Sequence, residues 1–131
     1  MQIRRIISLM TMVCLCLLAG CSSNALPEGM TEDQVRQASE QVVTMLSDGN
    51  YAGIEALYDS TMKSALPAGQ LKTALSAQLD QLGGFQSFDQ ESFYGKKGYA
   101  VAVLTCSYES GKAIFTISLN PDYQLSGLYM K

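Results

Sequence analysis

YAVAVLTCSYESGKAIFTISL, residues 99–119, is the stretch that decides the fold. Residues 99–108 are rich in β-branched and aromatic side chains, the composition of a strand. Residues 112–119 repeat that composition, and Ser110-Gly111 between them reads as a two-residue hairpin turn. With that loop, Glu109 faces Lys112 and Tyr108 faces Ala113. Ala102, Leu104, Cys106 and Tyr108 then share a sheet face with Ala113, Phe115, Ile117 and Leu119. Such an apolar face requires a cover. Val101, Val103 and Ile114 fall on the opposite face, which is less polar than a fully solvated sheet surface and is a candidate partner face.

Outward from this hairpin the meander continues in both directions. Residues 85–94 read as an edge strand of mixed polarity, followed by a turn at residues 95–98. Asn120-Pro121-Asp122 turns the chain again, and residues 123–130 form a fourth strand. Upstream, the period changes from 2 to about 3.6. Thr31-Glu32-Asp33-Gln34 has the form of a capping box, and Val35, Ala38, Val42, Met45 and Leu46 make one stripe ending at Gly49. Asn50 caps a second helix with Ile54, Leu57 and Tyr58 on its apolar side. A short helical turn carries Met62 and Leu66. Pro67 then opens a third main helix that runs to Gly83-Gly84. The expected architecture is α+β: three N-terminal helices packed on one face of a four-stranded antiparallel sheet.

The 131 residues leave room for one domain. Residues 1–20 stand apart from it. Arg4 and Arg5 precede an apolar run, and Leu18-Ala19-Gly20 brings small residues up to Cys21. That order is the pattern of a secretory signal, and the run is short for a membrane span. The Leu-Ala-Gly-Cys end resembles the lipobox of bacterial lipoproteins. The resemblance implies that Cys21 receives a diacylglyceryl thioether and becomes the mature N-terminus. The division is then 1–20 signal peptide, 21–30 lipidated cysteine and short tether, and 31–131 domain, held outside the cytoplasm at the cell membrane.

Removing residues 1–20 changes the chemistry that is left. Cys14 and Cys16 depart and Cys21 carries lipid, so Cys106 remains as a single thiol, read as a core residue. The remainder holds seven Lys/Arg against twelve Asp/Glu, a net charge of −5. Such a balance disfavours nucleic acid as a partner. It also implies repulsion by anionic lipid headgroups, so that lipid rather than charge holds the chain to the membrane.

No histidine occurs in the sequence. Ser-His-Asp and Cys-His arrangements are thereby excluded within this chain, as are zinc-site spacings. Gly83-Gly84 follows a helix and does not precede one, so it is no phosphate loop. No metal or other cofactor is expected. The acids that could point inward are Asp59, Asp89, Glu91 and Glu109. Asp59 reads more simply as the cap of the following helical turn. Asp89 and Glu91, two apart on one strand, read as a charged edge. Among the tyrosines, Tyr58 and Tyr108 are expected near a helix–sheet cleft. With Cys106 and Phe115 they make the candidate pocket.

Five short segments, in order, carry a further resemblance. They are Leu46-Ser47-Asp48-Gly49-Asn50-Tyr51; Leu57-Tyr58-Asp59 with Met62-Lys63; Leu66-Pro67 with Gln70-Leu71; Gln81-Leu82-Gly83-Gly84-Phe85; and Leu125-Ser126-Gly127-Leu128-Tyr129. Together they resemble a bacterial family known as domain of unknown function 3887, over residues 31–130. The resemblance implies a cone-like fold similar to the NTF2-like superfamily. Members occur as lipoproteins and beside hydrolase domains. No agreed activity accompanies the family, so no functional residue is carried over.

Three readings stay open at this point. The first is a non-catalytic module that binds a small apolar ligand in the cone, or a protein partner, a second copy included, on the free sheet face. The second is an NTF2-like enzyme using a buried carboxylate and a tyrosine. The third is a structural accessory domain of an envelope complex.

Overall fold

The computed structural model describes residues 25–131. The signal segment, Cys14, Cys16, Cys21 and the start of the tether lie outside the described residues. Helix α1 spans Glu32–Ser47 and is capped at Thr31, whose hydroxyl accepts from the Gln34 N–H at 3.3 Å. Val35, Val42, Val43 and Leu46 are its buried stripe. Gly49, at φ +74°, closes the helix by donating its N–H to the Leu46 carbonyl. Asn50 caps α2, Tyr51–Glu55.

Among the described residues four helices are present instead of the three expected. The extra one is the short turn after Ser60. It becomes α3, Ser60–Ala65, because the Asp59 carboxylate accepts the Met62 N–H at 2.9 Å and supplies a cap of its own. The last helix, α4, spans Gln70–Leu82 and does not begin at Pro67. Gly69 precedes it at φ +84°, a conformation no helix interior accommodates, so Pro67 lies in the turn before it.

The sheet is an antiparallel meander in the order β1-β2-β3-β4. Its strands are β1, Phe85–Lys96; β2, Tyr99–Tyr108; β3, Gly111–Leu119; and β4, Leu125–Met130. The β1–β2 turn is tighter than the expected residues 95–98. Lys97 and Gly98 both take positive φ, +53° and +85°, the geometry of a two-residue turn that matches strand twist. Gly95 and Lys96 thereby remain in the ladder, opposite Ala100 and Tyr99.

The β2–β3 hairpin differs from expectation in its loop and agrees in its faces. Tyr108 pairs with Gly111 and Cys106 with Ala113, so the loop is Glu109-Ser110. The loop N–H groups decide this. Glu109 donates to the Gly84 carbonyl and Ser110 to the Leu82 carbonyl, which pins the turn to the end of α4. The register thus moves by two residues, and because side chains alternate with period 2, a shift of two leaves every face assignment intact. Ala102, Leu104, Cys106, Tyr108, Ala113, Phe115, Ile117 and Leu119 are all buried on the inner face. Helix α1 lies across β1, β2 and β3 and covers them. Leu71 and Leu79 of α4 add to the same core.

Strand β4 begins at Leu125 and not at residue 123, because Tyr123 is left-handed at φ +61°. The Asn120 side chain holds this turn by accepting from the N–H groups of Asp122 and Gln124. The conformation aims the Tyr123 phenol at the start of α1. There it accepts the Thr31 N–H at 3.1 Å and donates to Gln34 Oε1 at 2.6 Å. Gln34 was expected to reach Thr31 directly; the box closes instead through an inserted phenol. Replacing it by Tyr123→Phe should cost about 1 kcal/mol, the usual net worth of such bonds. Denaturant titration would read the change, and an unaltered midpoint would show that the phenol bridge contributes nothing.

Candidate functional site

The fold sets Tyr58 and Tyr108 by opposite ends of β2, a ten-residue strand that spans about 30 Å at the usual rise. Tyr108 ends β2 and is 4% exposed. Its hydroxyl shares a 2.9 Å hydrogen bond with Ser47 Oγ, and its ring meets Phe85 edge-on at 5.6 Å. It floors a cleft of about 490 Å³ between the end of α1 and α4, where Lys72 and Asp80 also stand. Burial raises the Tyr108 pKa against the opposing effect of the Ser47 bond.

Tyr58 sits where the chain between α2 and α3 pairs briefly with Leu125. The Leu125 N–H donates to the Leu57 carbonyl and the Asp59 N–H to the Leu125 carbonyl, so this segment covers the edge of β4. Tyr58 lines an open cleft of about 590 Å³ with Lys63, Lys97, Tyr99 and Asn120. Its hydroxyl is buried without a hydrogen-bond partner, and burial, with Glu55 nearby, raises its pKa. Cys106 and Phe115 lie between these two ends at zero exposure, packed in the core and lining neither cleft. The four candidate pocket residues are therefore not brought together into one cavity.

The acids separate in a way the sequence did not indicate. Asp89 and Glu91 do not share a face, because β1 is bulged between Phe88 and Gln90. Asp89 turns to the outer face, where it meets the hydroxyls of Ser87 and Ser107 and lies 3.5 Å from Lys112 Nζ. Those hydroxyls, Ser107 first, hold its carboxyl below the usual range. Glu91 stays opposite Leu104 on the inner face and receives Arg36 Nε from α1 at 3.0 Å. Glu109 leans over Gly83 and Gly84, where a Cβ on either glycine would crowd its carboxylate. Asp59 is occupied by the Met62 N–H and the Ser126 hydroxyl.

Glu40 is the carboxyl the sequence reading missed. Burial and a hydrogen bond with Glu91 raise its pKa, while Arg36 opposes the shift. Arg36 also contacts Glu32 and Asp33, and its guanidinium lies 5.0 Å from the centre of the Phe93 ring. The signal available in sequence was the i,i+4 spacing of Arg36 and Glu40 beside the apolar stripe. Nothing local could place Glu91 opposite them. One residue before Glu40, the Ser39 hydroxyl is fully buried without a partner. No group of three or more His, Cys, Asp or Glu residues suited to a metal ion occurs among the described residues.

On the outer face Val101 is buried, Val103 is half-buried and Ile114 is exposed. The large hydrophobic side chains that stand exposed are Tyr99, Ile114 and Tyr129, the last at 71%. The pairings of Tyr99 with Lys96, Val103 with Thr116, and Thr116 with Tyr129 put all three on this same face.

Two measurements test these environments. Burial pushes the Cys106 thiol up to about 12, so a thiol reagent at neutral pH should label Cys106 only at the rate of unfolding. Fast labelling of the native chain at Cys106 would contradict the packing described. Glu40 holds its proton to higher pH when folded than when unfolded, so between those two values the native state binds more protons. Stability then falls as pH rises through that window. Glu40→Gln should raise the denaturation midpoint above the window and leave it unchanged below; equal effects at both ends would remove the carboxyl pair as the cause.

Comparison with known proteins agrees with this architecture. The NMR structure of a protein from Ruminococcus gnavus ATCC 29149 is similar with a TM-score of 0.64, over 81% of this chain and 96% of its own, at 20% identity. That likeness shows the fold. No curated protein matches the chain in sequence. The sequence pattern described as "Protein of unknown function (DUF3887)" matches residues 39–128, and the chain belongs to that family.

Proposed function

We propose that this chain is an extracytoplasmic lipoprotein, anchored to the cell membrane by lipid on Cys21, whose domain binds a partner and is not a catalyst. We read its architecture as a small cone of the NTF2-like kind, with α1 lying across the inner face of the sheet. The observation that carries the binding reading is the segregation of Tyr99, Ile114 and Tyr129 on one sheet face. Exposed apolar side chains gathered on one face mark contact surfaces more often than scattered ones do. A filled interior supports the same reading, since Phe115, Cys106, Leu104 and Ile117 occupy the space a small apolar ligand would need. The alternative, an enzyme using a buried carboxylate and tyrosine, finds support in the raised Glu40 and in the buried Tyr58 hydroxyl. Glu40 and its partner Glu91, however, line neither of the clefts that hold Tyr58 and Tyr108.

The anchor is tested by the intact mass of the protein purified from bacterial membranes. The expected mass lacks residues 1–20 and carries acyl chains on Cys21. Cys21→Ala should leave the chain unprocessed and without lipid. An unmodified Cys21 in the membrane-purified protein would overturn the anchoring reading.

A further inference from the structure

The net charge of −5 conceals two unlike surfaces. Of the seven Lys and Arg residues in the chain after residue 20, four lie on the outer sheet face or at its turn. Lys96 pairs with Tyr99, Lys112 with Ser107, and Lys131 exchanges backbone hydrogen bonds with Ile114; Lys97 forms the β1–β2 turn. All four are exposed. Asp89 is the acid on this face among the described residues, and Lys112 with two serine hydroxyls already engages it. The acids of α1, α2 and α4, and Glu91, belong to the other side of the sheet, and Asp122 is exposed in the β3–β4 turn, at the same end as Lys97. Helices packed on a sheet stand about 10 Å from it, and at physiological salt the Debye length is about 8 Å. The outer face therefore meets a neighbouring surface as a cationic one.

The N-terminal segment fixes which surface that is. Ala25 is seated against β1 on its inner side, where its carbonyl lies so close to Gly95, which shares a face with Ala100, that a Cβ there would collide with it. Gly95 is next to Lys96 and opposite Ala100. Only three residues separate Cys21 from Ala25, a reach of at most about 14 Å. The leash leaves the domain from the inner side of the β1 edge, beside Lys96 and Lys97, and passes around that edge to reach a plane against the outer face.

We infer that the outer sheet face is a membrane-docking surface, with Lys96, Lys97, Lys112 and Lys131 on anionic lipid headgroups and Tyr99, Ile114 and Tyr129 at the headgroup level. The inference rests on the anchoring reading above and names the partner of the exposed face. Tyrosine suits that depth, with an apolar ring and a polar tip, and each lysine near an anionic leaflet contributes about 1 kcal/mol. The tether supplies a high local concentration, so these individually weak contacts suffice to orient the domain.

The test is lysine footprinting on the lipidated protein purified from membranes, its acyl mass confirmed first. The protein is reconstituted into phosphatidylcholine vesicles with or without phosphatidylglycerol, and a water-soluble acylating reagent reads each lysine by mass spectrometry. With phosphatidylglycerol, Lys96, Lys97, Lys112 and Lys131 should label several-fold more slowly than without it, Lys72 should not change, and high salt should erase the difference. Equal labelling on both vesicles overturns the inference, as does slowing at Lys72 as well. Protection in native membranes that is absent on phosphatidylglycerol vesicles also overturns it, in favour of a protein partner. Failure of the anchor itself would already appear in the mass, so the two readings fail separately.

Discussion

Strand β2 is hydrogen-bonded on both sides and buried along its whole inner face, from Ala100 through Ala102, Leu104 and Cys106 to Tyr108. The remaining elements are arranged around that requirement. Two alanines near one end of β2 keep the sheet surface low there, while Phe115 and Ile117 on β3 raise it alongside. Helix α1 meets this relief with Val35, Val42, Val43 and Leu46, β-branched or branched side chains with few rotamers to lose. Burying such side chains yields about 1.5–3 kcal/mol each. The polar contacts then fix which way the helix lies. Arg36 ties its first half to Glu91 on β1, Ser47 ties its last turn to Tyr108, and Tyr123 ties its cap to the β3–β4 turn. A non-polar interface tolerates sliding; three polar ties to three different strands or turns do not.

How much of this was legible follows from whether the deciding contact is local. The α1 cap, the Gly49 stop and the Asn50 cap depend on neighbours within four residues, and they were legible. The inner and outer faces of the β2–β3 hairpin were legible too, because alternation survives a shift of two. The loop itself was not, since its N–H groups bond to Leu82 and Gly84, more than twenty residues upstream in sequence. The same holds for Tyr123. A tyrosine in a segment of strand-like composition reads as strand; the Asn120 turn makes it left-handed, and Thr31 and Gln34, far away in sequence, receive its phenol. For the site, the bulge at Asp89 reversed the expected pairing of acids. One inserted residue sent Asp89 outward and left Glu91 facing α1, and no composition signal announces a bulge in a strand of mixed polarity.

Compact packing also decides what kind of function the fold can hold. A cone opens for a ligand when its sheet and helices diverge, and here large side chains fill the divergence. What remains among the described residues are open clefts, two of them at the ends of β2, each lined by one buried tyrosine, and one on the outer face lined by Gln90, Ser92, Val103 and Thr105. The unpaired Tyr58 and Ser39 hydroxyls are the places where the packing is least complete in polar terms. Their separation, one at the β4 edge and one in the middle of α1, argues that they are independent features and not halves of one site.

Charge is where whole-chain numbers are least informative for this fold. A net of −5 over residues 21–131 suggests a domain that avoids anionic lipid, yet a net charge has no direction, whereas this sheet has one face under helices and one free. The outer face carries its lysines at both ends, Lys96 and Lys97 by the β1–β2 turn and Lys112 and Lys131 by the opposite end, with apolar and aromatic side chains between them. Its single acid is engaged by hydroxyls and a lysine, so it adds little repulsion. Placing like charges at both ends of a flat surface disfavours pairing of that surface with a second copy of itself, because any two-fold pairing brings lysines toward lysines. The same arrangement is neutral or favourable toward an extended anionic plane, which presents opposite charge at every position. The distribution of charge on this face thus favours a planar anionic neighbour over self-association.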